Sequence, residues 1–291
     1  MTRFLTPLAL CTAMAFAASA SAELLLYEPF GYTAGADLVG QNGGTGFTGA
    51  WRDGAAGGGI IQAGSLPAPA GVPTAGGHAM LSGAAGTYQV YRDFTNIEGA
   101  DGETTWISWI AQRQGDSIPT PDPTYGDNPY PRGVNAGFFN TEHPTRPERV
   151  GIGNSSNATE NEWSIIPEGS GGLREGSGVP WDEMHWAVMR LDHHGDINTP
   201  DDAYLWLDPD PNVEPDIMNA LASSVGVVDF SGLDFIRPFV GNESSGRPAG
   251  QMVIDEIRVG TTYADMSAVP EPAALCLAGL AACGLVGRRR R

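Results

Sequence analysis

Through the middle of the chain, apolar and polar residues alternate in short runs, and each run ends near glycine, proline, asparagine or aspartate. Ala203, Leu205 and Leu207, for example, interleave with Tyr204 and Trp206. A period of two is the spacing at which a β-strand turns successive side chains to opposite faces. Twelve runs are read as strands: 24–27, 79–82, 88–94, 104–113, 134–139, 149–152, 163–166, 184–191, 203–207, 225–230, 235–240 and 252–259. Only 215–222 carries a short helical pattern. A dozen short strands without intervening helices predict an all-β sandwich, jelly roll or barrel. The Gly-, Ala- and Pro-rich stretch 54–77 and the stretch 115–133, with five prolines, read as surface loops. Residues 193–202 read as the connection of a hairpin.

The two ends break this pattern. Arg3 precedes an almost wholly apolar stretch, 4–18, and the small residues Ala20 and Ala22 stand before Glu23. These parts predict a secretory signal peptide over 1–22, handled by the Sec export machinery and cleaved after Ala22. At the other end Val269, Pro270, Glu271 and Pro272 precede fifteen uncharged residues, 273–287, and then Arg288, Arg289, Arg290 and Arg291. As a helix the uncharged stretch would reach about 22 Å, against about 30 Å of bilayer hydrocarbon. It predicts a short transmembrane helix that anchors weakly, its arginines held in the cytoplasm. Motif, span and basic terminus together, over 267–291, resemble the PEP-CTERM sorting signal. That resemblance implies processing by exosortase, a membrane protease-transpeptidase, in a Gram-negative-type bacterium that makes exopolysaccharide. It implies transient insertion in the inner membrane, followed by delivery to the cell surface or extracellular matrix.

Charge narrows the partners. All 16 basic residues of the 291 are arginine, and between the ends 33 acids face 11 of them. Such a surface repels nucleic-acid phosphate and anionic lipid, and is compatible with neutral glycans or divalent cations. Cys11, Cys276 and Cys283 all lie in the terminal stretches, so the body has no disulfide framework, thiolate metal site or cysteine nucleophile. A body of this length can bury a sizeable core without one.

Tyr27, Glu28, Pro29 and Phe30, followed by Gly43, Gly44 and Trp51, are similar to the opening of concanavalin A-like (laminin G-type) jelly rolls. The pairing of 186–191 with 204–209 is similar to that family as well. So is the closing run from Ile254 through Asp255, Glu256, Ile257 and Arg258 to Gly260, with Thr261, Tyr263, Ala264 and Asp265 after it. The resemblance implies an all-β, concanavalin A-like jelly-roll sandwich over 23–266. Lectins, glycan-binding modules, adhesion domains and glycosidases share that architecture, so it does not choose among them.

Candidate chemistry is sparse. Glycosidases of this architecture place acids at alternate positions of one strand, where they can divide nucleophile and acid/base roles. Glu98, Asp101 and Glu103 come nearest, but Glu98 has the wrong parity to face Glu103, and Gly99 and Gly102 suggest a turn. Asp255 and Glu256 are adjacent and, on a regular strand, would face opposite sides in a structural role. No G-x-S-x-G, zinc spacing or phosphate loop occurs, and His193 and His194 are neighbours in the hairpin connection. Asp192, Asp196, Asn198, Asp201 and Asp202 supply oxygen ligands suited to calcium, without the EF-hand order. If Ala203, Leu205 and Leu207 face the core, Tyr204 and Trp206 stand on the outer face, where rings can stack on sugars. The expectation is an exported, non-catalytic surface or matrix protein that binds extracellular polysaccharide, with calcium as its one candidate cofactor. A secreted glycan-active hydrolase and a purely structural matrix or adhesion protein are the competing readings.

Overall fold

The computed structural model describes residues 24–55, 58–141, 148–154, 161–167, 174–195, 199–244 and 246–268. The signal peptide with Ala20, Ala22 and Glu23 lies outside the described residues, as do Val269, Pro270, Glu271, Pro272, the uncharged stretch and Arg288 to Arg291. Among the described residues no helix is long and apolar enough to cross a membrane.

The first five strands are β1 (Leu24–Glu28), β2 (Arg52–Ala55), β3 (Gly58–Ala63), β4 (Gly77–Ser82) and β5 (Tyr88–Ile97). Then come β6 (Thr104–Gln114), β7 (Val134–Phe139), β8 (Glu148–Asn154), β9 (Ser164–Pro167) and β10 (Glu175–Gly176). The last five are β11 (His185–Asp192), β12 (Asp201–Leu207), β13 (Ala222–Val228), β14 (Leu233–Val240) and β15 (Gln251–Gly260). They form two antiparallel sheets. One runs β13-β12-β11-β6-β15-β4-β3, with β1 also on β15; the other runs β10-β9-β8-β7-β14-β5-β2. Alternate residues of both sheets, among them Ile107, Trp109, Met189 and Leu205 from the first and Val90, Phe138, Ile152 and Ile236 from the second, fill one core between them. The all-β jelly-roll sandwich expected from the sequence is the observed architecture.

Local readings need three corrections. The stretch 54–77 is not all loop, because β2 and β3 extend into it. The expected helix over 215–222 is one 3-10 turn, Ile217–Asn219, capped by the Asp216 carboxylate, and β13 already begins at Ala222. The strand read at 225–230 lies at Ala222–Val228. The expected hairpin holds its register, with Leu191 opposite Ala203 and Asp192 opposite Asp202.

Both signature runs turn out to fasten loops. Glu28, fully buried, accepts hydrogen bonds from Phe30 N (2.8 Å), Tyr32 Oη (2.7 Å) and Trp51 Nε1 (3.0 Å), and pairs with buried Arg92. Arg92 in turn donates to the Gly43 and Gly49 carbonyls. The segment from 29 to 51 is thereby tied back onto β5 through one ion pair. In β15 a bulge falls where the strand passes from β4 to β1, and Glu256 takes a φ of 53°. The extra residue undoes the alternation expected of Asp255 and Glu256. Both carboxylates reach the same loop, Asp255 accepting from Leu66 N (2.9 Å) and Glu256 from Ala75 N, while Arg258 donates to Pro73 O (2.6 Å).

Candidate functional site

The outer face of the eight-stranded sheet is not a surface. Trp106 and Ile110 from β6, Trp186 and Val188 from β11, Trp206 from β12 and Val253 from β15 all point away from the main core and are all buried. The loop after β3 covers them with Leu66 and Val72, and the 3-10 turn Tyr263–Ser267 adds Tyr263 and Met266. Trp206 is 4% exposed, stacks on Trp106 (5.8 Å between ring centroids) and donates to Asp216 O (3.3 Å). The expectation that Trp206 stacks on sugar is therefore overturned: a second core needs the ring more than solvent does. Tyr204 is half-buried beside it, its ring 6.3 Å away.

The acidic hairpin is likewise committed internally. Asp201 is fully buried and accepts from His193 Nδ1 (3.1 Å), His194 N (2.7 Å), Phe230 N (2.8 Å) and Ser231 Oγ (3.4 Å). Burial pushes its pKa up, but the bonds from His193, His194 and Phe230 outweigh this and hold it below the usual carboxylate range. Asp192 accepts from Thr104 Oγ1 (3.1 Å) and Arg190 Nε (2.6 Å), and Asp202 from Gly226 N (2.9 Å). Asp201 cannot serve as a calcium ligand in this arrangement, because its oxygens already face four protein donors. Asp196 and Asn198 lie outside the described residues. Among the described residues no three His, Cys, Asp or Glu side chains converge as a metal site would require.

Two other places carry chemistry. The first is the outer face of the seven-stranded sheet, where the rings of Tyr91, Phe139 and Phe235 meet and Arg237 links them to Phe239 (5.3 Å). Phe139 stacks on Phe235 at 4.4 Å, and Tyr91 meets Phe235 edge-on at 5.5 Å. Arg52 lies 5.1 Å over Tyr91 and pairs with Asp93 (2.6 Å). Arg237 lies 4.7 Å over Phe139 and pairs with Glu148 (2.6 Å). Half-buried Tyr91 and Phe239 and the exposed Arg52–Asp93 pair form its accessible part. The signal was in the sequence: Phe235, Arg237 and Phe239 alternate on one strand, as do Gln89, Tyr91 and Asp93 on another.

The second place is a cavity of about 400 Å³ at one end of the sandwich, between β1 and β6 of one sheet and β5 of the other. Its apolar wall includes Leu25 and Ile97, and its polar wall Asn96, Glu98, Glu103, Thr104 and Thr105. Glu98 and Glu103, separated by the parity argument, line it together because the segment between them turns through Gly99 (φ 64°) and Gly102 (φ 79°). Asp101 goes elsewhere, accepting from Gly195 N. Behind the wall, buried Thr105 Oγ1 lies 3.0 Å from His193 Nε2, which continues the chain to Asp201. A shallower depression of about 500 Å³ beside the covered face includes Pro67, Met184, Trp186 and the His185–Asp208 pair.

Residues 268–291 match the PEP-CTERM protein-sorting motif, the one resemblance read from the three-part end. No curated protein matches the chain. Among solved structures, an endo-beta-1,4-glucuronan lyase from the fungus Trichoderma reesei is similar at 15% identity and a TM-score of 0.46, covering 80% of this chain and 98% of that one. The T. cruzi calreticulin globular domain gives 13% identity and 0.43, covering 73% and 84%. The Emp47p carbohydrate recognition domain gives 11% and 0.40, covering 81% and 96%. The sandwich assigned above rests on the strand pairings.

Proposed function

We propose, from a chain that ends in a PEP-CTERM protein-sorting motif, that this is an exported protein processed by exosortase and delivered to the cell surface or extracellular matrix. There its sandwich binds neutral polysaccharide without catalysis. The observation that carries the reading is the sorting motif joined to an acidic, cysteine-free β-sandwich. The outer face of the seven-stranded sheet supports the binding half. Half-buried Tyr91 and Phe239 offer ring surface to sugar C–H groups, and each arginine there is neutralised by a carboxylate, which suits an uncharged partner.

In a host with exosortase, the mature protein is expected to lack Arg288 to Arg291 and to leave the inner membrane. Changing Pro270, Glu271 and Pro272 to alanine should trap the full-length form there. Recovery of the unaltered protein intact in the inner membrane would defeat the sorting reading. On immobilised neutral polysaccharides, Tyr91→Ala and Phe239→Ala should each weaken binding roughly fivefold, the scale of about 1 kcal/mol for a lost ring contact.

A hydrolase is the second reading, favoured by Glu98 and Glu103 lining one cavity, since glycosidases work through such a carboxylate pair. Polysaccharide cleavage by the purified protein, abolished by Glu103→Gln, would put it first.

A further inference from the structure

The hydrogen-bond directions around the end cavity follow from its back wall. Asp201 holds its carboxylate against the backbone N–H groups of His194 and Phe230, so it acts as an acceptor. His193 must then present a proton on Nδ1 to it, and in the neutral ring Nε2 is left as an acceptor. With that ring neutral, Thr105 donates its hydroxyl proton to Nε2 and turns its lone pairs outward. Thr104, its neighbour on the strand, turns to the sheet's other face and gives its hydroxyl proton to Asp192. Asn96 commits one amide N–H to Glu98 (2.7 Å), leaving its carbonyl oxygen and its second N–H. Glu98 and Glu103 can only accept when ionised, and among the described residues no arginine or histidine lines the cavity. The hydroxyls of Thr95 and Thr261 and the second amide N–H of Asn96 can still donate.

We infer that this cavity is a second binding site, distinct from the sheet face, for a small ligand carrying a protonated primary amine. An ammonium group presents three donors and no acceptor, the complement of two carboxylates and the Thr105 lone pairs. Its charge meets the Glu98 and Glu103 carboxylates in charge-assisted hydrogen bonds. Leu25 and Ile97 give the carbon skeleton an apolar wall to rest on. Two sources share this chemistry, an amino sugar and a simple diamine.

The test is calorimetric titration of the exported protein with glucosamine, N-acetylglucosamine, glucose and putrescine, in about 0.15 M salt to screen diffuse attraction. Glucosamine should bind roughly tenfold or more tightly than its acetylated form or glucose, the scale of one charge-assisted contact. The double variant Glu98→Gln/Glu103→Gln should lose that preference. Thr105→Val should weaken amine binding and Thr105→Ser restore it. Glu214→Gln, at an exposed carboxylate elsewhere, should leave it unchanged. Putrescine binding as tightly as glucosamine would assign the diamine source, and weaker binding the amino sugar. Equal binding of glucosamine and N-acetylglucosamine, or a preference that survives the double variant, would overturn the inference. Because the mouth carboxylates are exposed, their variants keep the test decisive even if Thr105→Val fails to fold. Loss of neutral polysaccharide binding alone would count against the sheet face and leave this site standing.

Discussion

The two outer faces of the sandwich meet the same problem, aromatic rings on the side of a sheet away from the core, and solve it differently. On the eight-stranded sheet the outward residues are Trp106, Ile110, Trp186, Val188, Trp206 and Val253, with few charges among them. Such strands are apolar on both faces and cannot be left in water. Long connections are folded over them and pinned by the Asp255, Glu256 and Arg258 side chains. On the seven-stranded sheet the outward rings alternate with Arg52, Asp93, Arg237 and Glu148, whose stems and paired head groups cover them. An outward ring under an apolar covering loop becomes core; among charged neighbours Tyr91 and Phe239 stay half-buried, where a ligand can reach them, over the buried rings of Phe139 and Phe235.

The largest expected contrast is between equivalent truncations. Trp206→Ala should lower unfolding stability by about 3–5 kcal/mol and leave polysaccharide binding intact once folded. Tyr91→Ala should cost about 1 kcal/mol and weaken binding. Denaturant melts beside binding curves check both, and a reversal of the two would break the comparison.

Next in size are the ion pairs. Arg258→Met leaves Glu256 buried without its partner and should cost about 3 kcal/mol, with new protease cleavage within 64–76. Arg237→Met on the other face removes a pair whose side chains are 14% and 15% exposed, so a loss of about 1 kcal/mol is expected, without cleavage of that loop.

Stability should also change with pH, with opposite signs at Asp255 and Asp201, two of the fully buried aspartates. Burial pushes Asp255 from 3.8 to about 8, against the bonds from Leu66 and Glu256 N. The native state therefore holds a proton that the unfolded chain has released, and this residue's contribution falls as pH rises from about 4 to about 8. Asp255→Asn should flatten that slope in melts taken across the range. Asp201, held below the ordinary range, contributes fully above it and loses that contribution as pH drops through its native value. Asp201→Asn should accordingly destabilise at neutral pH and converge with the parent in acid. The smallest effect concerns metal: with Asp201 satisfied by protein donors, EDTA should leave Tm unchanged. A drop restored by Ca²⁺ would return the hairpin to candidacy.

Much of this molecule was legible in the chain because it is a local property. A period of two marks strands wherever it occurs, so the sandwich and the β11–β12 hairpin could be read directly from 184–191 and 203–207. The sorting end is linear as well, a motif followed by an uncharged stretch and four arginines, and needs no folding to be recognised. Alternation says that Tyr204 and Trp206 share a face, but not what lies over that face. Only the tertiary structure decided that residues 64–76, remote in sequence, close over Trp206. The same holds for Glu98 and Glu103, whose strand parity separated them until two glycines at positive φ turned the chain and put both on one cavity. Thr105, His193 and Asp201 were each visible in the sequence, and their alignment was not, because it depends on the register of three strands. Periodicity assigns a side chain to a face; which groups meet there is set by long-range pairing, bulges and covering loops, which no single strand encodes.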